Sequence, residues 1–271
     1  MASRKEAKEQ ARERRLAEEA ARAATTQRKR RMQMLGGVVV VAVAIVAVLI
    51  AVSSGGGSGT SGAPKTKAAQ TTLVDSVTSL LNGIPQSGTE LGNPSAPVTM
   101  SYFGDLECPV CAAFTTGADG GGLSQFISNQ VKAGKVKIIY RSFCTATCND
   151  EGQTVFNTQQ AAAYAAGLQK KFWDYTELFY HEQGAEGSGY VTPTFLNGLA
   201  SQIPGLNYSS WQTGRSNPNV VNQVNSDQQL AAKMQLTGTP TVIFKGPKGE
   251  AQAGGSIPTY SSLQQAFNQV D

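Results

Sequence analysis

The sequence predicts an α/β domain that carries an inserted helical subdomain and is preceded by a single transmembrane helix. Three observations predict this architecture. Residues 35–52 are eighteen consecutive residues without a charged side chain. Further along, a strand-like segment runs directly into a Cys-Pro-Val-Cys motif at residues 108–111. Nearly a hundred residues with helical patterns then separate the second predicted strand from the third, which indicates an α/β domain with added helices.

Residues 1–34 form a basic tail. Residues 1–31 contain eleven Lys or Arg against five Asp or Glu, a net charge of +6, whereas the remaining residues contain twelve against fourteen. Because the positive charge lies in one tail and the rest of the chain is nearly neutral, we expect a cytoplasmic topology signal and no nucleic-acid partner. A charged helix that binds a partner protein is the alternative.

Residues 35–52 are predicted to span the membrane, since a helix of this length measures about 27 Å and the hydrocarbon core about 30 Å. The basic cluster Arg28–Arg31 keeps the N-terminus cytoplasmic and places everything after Ser53 outside the membrane. A cleaved signal peptide is the alternative, but the long segment before the apolar run favours a retained anchor. The Gly/Ser-rich residues 53–70 are predicted to be a flexible linker to a domain of residues 71–271.

The elements of this domain follow from local patterns. An amphipathic helix containing Leu73–Leu81 is predicted to end at Asn82-Gly83. Strand propensity marks Val98–Phe103, Val136–Arg141 and Thr241–Phe244. Helical patterns occur at Thr154–Lys170, at Phe172–Glu182, from Thr192-Pro193 onward, at Pro218–Leu236 and at Tyr260–Val270. All but the last lie in an insertion of about residues 150–237.

The two cysteines of the Cys-Pro-Val-Cys motif lie on one face of the helix that they open. Pro109 suits the first helical position, where its missing N–H costs nothing. Cys108 is then predicted to lie exposed at the helix N-terminus, where unpaired N–H groups and the helix dipole lower the pKa of its thiol and make it the nucleophile. Cys111, one turn inside, is the predicted buried resolving thiol. This arrangement serves thiol–disulfide exchange through a mixed disulfide.

Further motifs accompany this one in a fixed order. Thr239-Pro240 begins the third predicted strand, and X–Pro bonds are the ones that tolerate the cis form. With these motifs the domain resembles the DsbA-like disulfide oxidoreductases of the thioredoxin fold, particularly the membrane-anchored type of Gram-positive bacteria. The matching segments are Leu91–Val98, Cys108–Cys111, Gly134–Val136, Phe172–Phe179 and Thr237–Thr241.

The resemblance implies roles for individual residues. It makes Pro240 a cis-proline that faces the two cysteines. Thr239, Pro109 and Val110 are then expected to contact an extended protein substrate, with the backbone of Thr239 offering hydrogen bonds. The inserted helices are expected to lie over the active site. No cofactor is expected.

The sequence departs from the family pattern in three places. The dipeptide between the cysteines is Pro-Val and lacks the histidine of the most oxidising members. Asp105 and Glu107 precede Cys108, and a carboxylate close to the sulfur opposes its ionisation. Gly120–Gly122 is expected to break the first long helix. The first two departures predict a weaker oxidant than the strongest family members, whose potential is about −120 mV.

Cys144 and Cys148 follow the second strand, in a loop where the family usually carries no cysteines. Outside the membrane paired thiols tend to oxidise, so we predict a structural disulfide that fixes the loop. A second redox-active pair that exchanges electrons with Cys108 and Cys111 is one alternative. The other alternative is a zinc site formed by the thiolates of all four cysteines. The oxidising compartment disfavours such a site, and no metal is expected. The single histidine, His181, is predicted to end a helix.

These inferences predict a membrane-tethered, extracytoplasmic thiol–disulfide oxidoreductase that forms disulfides in secreted or surface proteins. A substrate thiolate attacks the Cys108–Cys111 disulfide at Cys108, and a second substrate thiol releases the mixed disulfide. Reduced or unfolded proteins are the expected substrates, and the resemblance implies a membrane protein that reoxidises the enzyme. A disulfide reductase of the same fold is one alternative. A binding module that retains the fold without catalysis is the other.

Overall fold

Residues 67–271 are described in a computed structural model of the chain. The predicted cytoplasmic tail, the predicted membrane span at residues 35–52 and most of the predicted linker lie outside the described residues. Within residues 67–271 no helix is both long enough and apolar enough to cross a membrane.

The first described helix corrects the predicted end of the linker. Helix α1 covers Lys67–Leu81, so residues 67–70 are helical and not part of a flexible tether. The reason is local, because Lys67–Gln70 contains only good helix formers and no glycine. The helix is held by its apolar side, where Val77 and Leu81 are buried.

Six strands form one mixed sheet in the order β1-β2-β4-β3-β5-β6. The strands are β1 Gln86–Ser87, β2 Glu90–Leu91, β3 Val98–Gly104, β4 Val136–Ser142, β5 Thr241–Gly246 and β6 Gly249–Gln252. The central strand β3 pairs in parallel with β4 and antiparallel with β5. The β-branched and aromatic residues that predict β3 and β4 pack into the core from both strands.

Helices cover both the sheet and the region between β4 and β5. They are α2 Pro109–Thr116, α3 Leu123–Phe126, α4 Ala146–Asp150, α5 Gln153–Gly167, α6 Phe172–His181, α7 Pro193–Gln202, α8 Tyr208–Gly214, α9 Pro218–Lys233 and α10 Tyr260–Val270. A 3₁₀ turn at Ala118–Gly120 and a π-helical turn at Ile127–Val131 flank α3. The predicted α/β fold with a large helical content is confirmed.

The helices between β4 and β5 include the four predicted from sequence and two short ones, α4 and α8, that no pattern indicated. Thr192 caps α7, its hydroxyl accepting a hydrogen bond from the Phe195 N–H. The aromatic helix α6 is buried along nearly its whole length and packs against α2. The inserted helices are thereby connected to the helix that begins at the Cys-Pro-Val-Cys motif.

The break in the first long helix begins earlier than predicted. Helix α2 ends at Thr116, and Gly117 caps it in the left-handed conformation with φ 84°. Gly121 and Gly122, predicted to break the helix, allow close packing instead. A Cβ atom at Gly121 would overlap the Ala113 carbonyl of α2, and one at Gly122 would overlap the backbone of Tyr260.

The sheet register brings three segments to one edge. Gly104 at the end of β3 pairs with Ser142 at the end of β4, and Phe103 pairs with Thr241 at the start of β5. The segment after β3 contains Cys108, the segment after β4 contains Cys144, and the segment before β5 contains Pro240. Residues far apart in the sequence therefore meet at this edge.

Candidate active site

Cys108 lies at the N-cap position of α2, with Pro109 at the first helical position as predicted. Its backbone N–H donates to the Asp105 carbonyl at 3.1 Å, and its carbonyl accepts the first helical hydrogen bond from Ala112 at 3.1 Å. The sulfur therefore lies beside the unpaired N–H groups of the first helical turn. A thiolate is stabilised at such a position.

The segment that precedes β5 lies against this sulfur. The Thr239–Pro240 peptide bond is cis, as the resemblance implies. The Cys108 thiol donates to the Thr239 carbonyl, with 3.5 Å between sulfur and oxygen. The cysteine turn and the cis-proline turn are thus in direct contact.

The two thiols differ in acidity. Hydrogen bonding from the Cys111 thiol lowers the pKa of Cys108 from 9.0 to about 7, with further contributions from the Thr239 hydroxyl and the N–H groups of Val110 and Cys111. Burial raises the pKa of Cys111 well above its ordinary value, and the hydrogen bond to Cys108 raises it further. At neutral pH the structure therefore gives one reactive thiolate and one protonated thiol.

Cys108 is less exposed than the sequence predicts. It retains 5% of its surface and Cys111 retains none, because the Thr239–Pro240 segment packs against the Cys108 sulfur. Pro109 is exposed, and Val110, Thr239 and Pro240 are each partly exposed. These four residues surround the approach to Cys108. Their predicted roles in substrate binding and catalysis stay predictions.

Asp105 does not oppose the ionisation of Cys108 in the predicted way. Its buried carboxylate faces the loop after β4, where it accepts hydrogen bonds from the backbone N–H groups of Thr145 at 2.8 Å and Thr147 at 3.0 Å. It also accepts one from the Glu107 N–H at 3.2 Å. The main contributions to the pKa of Cys108 come from the hydrogen bonds around its sulfur and not from this charge.

Glu107 is buried, and neither oxygen of its carboxyl group has a hydrogen-bond partner among residues 67–271. Burial, with a smaller contribution from the charge of Glu151, raises its pKa from 4.5 to about 7. A large fraction of Glu107 is therefore neutral at pH 7. Its predicted repulsion of the Cys108 thiolate is reduced accordingly.

Cys144 and Cys148 are joined by a disulfide, with 5.6 Å between their Cα atoms. Their sulfurs are therefore not available as two thiolates for a four-cysteine zinc site. The loop that they close contacts the site directly, because the Thr145 hydroxyl lies 2.6 Å from the Thr239 hydroxyl.

His181 ends α6, as predicted, and its Nε2 lies 4.0 Å from a Glu177 carboxylate oxygen.

Sequence reasoning missed three residues that the fold brings to the site. Thr145 and Thr147 contact Asp105, and the Gln183 side-chain amide donates to the carbonyls of Leu106 at 2.7 Å and Cys108 at 3.2 Å. The position of Thr145 and Thr147 directly after β4 was a usable signal, because parallel strands end at the same edge. No sequence feature singles out Gln183.

Comparison with known proteins agrees with this geometry. The family model described as "Thioredoxin" matches residues 86–257, more than half of the chain. The chain belongs to the thioredoxin family.

The thioredoxin-family relatives include disulfide bond formation protein D of Bacillus subtilis, which is 28% identical over 156 residues. That alignment covers 56% of this chain and 65% of the relative, so it spans just under two thirds of the relative's length.

Two solved structures of this family show the same fold. Oxidised BdbD from Bacillus subtilis matches with a TM-score of 0.56 at 21% identity, over 68% of this chain and 97% of that one. DsbA2 from Pseudomonas aeruginosa matches with a TM-score of 0.51 at 18% identity, over 69% and 96%. The predicted resemblance to the DsbA-like thiol–disulfide oxidoreductases is confirmed.

The difference in acidity predicts the pH dependence of alkylation. We expect the rate of reaction of the reduced protein with iodoacetamide to rise with pH through a midpoint near 7, because only the Cys108 thiolate reacts. Cys111 is expected to stay unmodified between pH 5 and pH 9, since it is buried and its pKa is raised. Peptide mapping by mass spectrometry assigns the modified residue. A midpoint near the ordinary value of a cysteine would contradict the arrangement.

Proposed function

We propose that this protein is an extracytoplasmic thiol–disulfide oxidoreductase, tethered to the membrane through residues 35–52, that forms disulfides in secreted or surface proteins. The observation that carries the proposal is the contact between Cys108, at the N-terminus of α2, and the Thr239–Pro240 turn. A nucleophilic sulfur beside a resolving thiol is the arrangement that exchanges disulfides. The apolar run and its basic flank support the tether and its orientation.

The catalytic steps use the two cysteines in turn. A substrate thiolate attacks the Cys108 sulfur of the Cys108–Cys111 disulfide, which forms a mixed disulfide and releases Cys111 as a thiolate that takes up a proton. A second substrate thiolate then attacks the substrate sulfur of the mixed disulfide and releases Cys108 as a thiolate. The substrate is oxidised by two electrons and the enzyme is reduced by two. A membrane redox partner restores the enzyme disulfide by accepting them.

The acidity of Cys108 supports a moderate oxidant. Strongly oxidising members of the family hold this thiol at a pKa near 3.5, whereas thioredoxin holds it near 7. The pKa of Cys108, about 7, is that of the weaker oxidants. Equilibration with glutathione should give a potential clearly more reducing than about −120 mV, and a value at that oxidising end would contradict the proposal.

The same observation favours a second candidate, a reductase that supplies electrons to extracytoplasmic proteins. The two functions predict opposite resting states of the dithiol. Acid trapping in the cells that produce the protein, followed by thiol alkylation, should show Cys108 and Cys111 mostly oxidised for the proposed oxidase. A mostly reduced pair would identify the reductase.

The exchange activity itself is tested with the oxidised full-length chain in detergent and a reduced peptide that carries two cysteines. We expect the peptide to gain an intramolecular disulfide while one equivalent of enzyme dithiol appears. If the peptide stays reduced although Cys108 in a separately reduced sample of the protein reacts with iodoacetamide, the protein is a binding module and not an oxidoreductase.

A further inference from the structure

The loop Cys144–Cys148, here named the disulfide loop, contacts both segments that surround the reacting sulfurs. It begins two residues after β4, at the edge where β3 ends and β5 begins. The disulfide closes a ring of only five residues, and Ala146 and Thr147 inside the ring are buried. The ring includes the first residues of α4 and fixes them to the end of β4.

The first contact of the disulfide loop is with Asp105. The buried Asp105 carboxylate accepts four hydrogen bonds from the loop, from the N–H and the hydroxyl of Thr145 and from the N–H and the hydroxyl of Thr147. The Gln159 amide, which donates to the Thr147 hydroxyl at 2.7 Å, supports this arrangement from α5. The loop therefore supplies most of the donors that compensate a buried charge.

Asp105 in turn positions Cys108 through its backbone. Its carbonyl accepts the hydrogen bond from the Cys108 N–H at 3.1 Å. Its backbone also contributes to the pKa of the Cys111 thiol, which it lowers against the larger effect of burial. Any displacement of Asp105 therefore moves the backbone of Cys108 and changes the surroundings of the Cys111 thiol.

The second contact is between two hydroxyl groups. The Thr145 hydroxyl lies 2.6 Å from the Thr239 hydroxyl, and the Thr239 carbonyl accepts a hydrogen bond from the Cys108 thiol at 3.5 Å. Thr145 thus fixes the position of Thr239, the residue that contacts the Cys108 sulfur and whose side chain contributes to the lowered pKa of that thiol.

We propose that the disulfide loop is a positioning element of the active site, in which Thr145 acts on the Cys108 sulfur through Thr239, and Thr147 acts on the cysteine turn through Asp105. The Cys144–Cys148 disulfide keeps the two threonines in place. The inference rests on the proposed function only in that both concern the same dithiol. It gives the second cysteine pair a role in the chemistry without a transfer of electrons.

The test compares three variants of the full-length chain with the wild type. Thr145→Val removes the hydroxyl and keeps the backbone N–H and the shape of the side chain. Cys144→Ser combined with Cys148→Ser opens the ring, and the third variant carries all three changes. Thr158→Val is the matched control, because its exposed hydroxyl contacts only the Thr154 carbonyl of its own helix.

The readout is the alkylation rate of Cys108 at pH 6, after reduction that leaves the wild-type Cys144–Cys148 disulfide intact. We expect opening of the ring to slow alkylation by about tenfold and Thr145→Val by about threefold, since hydrogen bonds to a charged group are weakened. The triple variant should match the ring-opened variant, because both changes act on the same contacts. The control should react at the wild-type rate.

A structural disulfide predicts a different result. In that case the ring-opened variant melts at a lower temperature while Cys108 reacts at the wild-type rate, and this outcome would overturn the proposal. If the ring-opened variant fails to fold, the test depends on Thr145→Val, which retains the disulfide. Alkylation of Cys108 in Thr145→Val at the wild-type rate would then refute the inference. Alkylation requires no protein substrate, so the inference can fail or hold independently of the proposed oxidoreductase activity.

Discussion

Replacement of Cys108 by serine is expected to abolish thiol–disulfide exchange, with a loss of at least about three orders of magnitude in rate. The serine hydroxyl stays protonated at neutral pH and does not attack a disulfide, and loss of a nucleophile removes the covalent route altogether. Neither Cys111 nor the Cys144–Cys148 pair replaces it, because Cys111 is buried and the other two sulfurs are joined. Oxidation of a reduced two-cysteine peptide measures the loss.

Replacement of Cys111 by serine has a different expected outcome, and this difference is what assigns the two roles. Cys108 keeps its place at the helix N-terminus and still reacts, but no thiol inside the site resolves the mixed disulfide. When a substrate disulfide is supplied, the Cys108 thiolate attacks it, forms a mixed disulfide and releases the other substrate sulfur as a thiolate. This covalent adduct should accumulate and be visible as a mass increase under non-reducing conditions. Serine at both Cys144 and Cys148 is the control, which should retain exchange at a reduced rate. Exchange by the Cys108→Ser variant would contradict the assignment.

The parts of the site that sequence patterns predicted are those that local chemistry determines. Pro109 and the strand before it place Cys108 at a helix start, and both features lie within a few residues of the thiol. The cis-proline turn was predicted in the same way, from a Thr-Pro step at the start of a strand and from the resemblance. Thr192 caps its helix through a contact three residues away. The long helices accordingly lie within a few residues of their predicted positions.

The parts that sequence patterns missed depend on contacts between distant residues. Asp105 was predicted to repel the Cys108 thiolate, yet its carboxylate is turned toward Thr145 and Thr147, forty and more residues further along the chain. Gln183 contacts the Cys108 carbonyl across 75 residues. The strands β1 and β2 have two residues each and are too short for any periodicity. Register and helix packing decide these contacts, and neither can be read from composition.

Glu177 lies on α6, the helix that packs against α2, and carries the largest expected effect on stability. It is fully buried, and neither carboxylate oxygen has a hydrogen-bond partner within the described domain. Burial, with a smaller contribution from the charge of Asp174, raises its pKa from 4.5 to about 8. Between these two values the folded protein keeps a proton that the unfolded chain releases. The free energy of unfolding is therefore highest below pH 4.5 and falls as the pH rises toward 8.

Replacement of Glu177 by glutamine removes this proton equilibrium and keeps the shape of the side chain. The free energy of unfolding of the variant, relative to the wild type, should increase by about 3 kcal/mol between pH 4.5 and pH 7, because each pH unit is worth about 1.4 kcal/mol. Urea unfolding followed by the fluorescence of the buried Trp173 and Trp211 measures it. The His181 imidazole lies 4.0 Å from a Glu177 carboxylate oxygen. Its titration is removed by making His181→Gln both in the wild type and in the Glu177→Gln variant.

Glu250, exposed on β6, provides the matched control for this substitution. Glu250→Gln should leave the free energy of unfolding, relative to the wild type, nearly the same at both pH values, because an exposed carboxylate loses little solvation on folding. If Glu177→Gln shows the same flat dependence, Glu177 is charged in the folded protein. The space between α6 and its neighbours would then have to admit water or a compensating donor, and the close packing of α6 on the cysteine helix would be wrong.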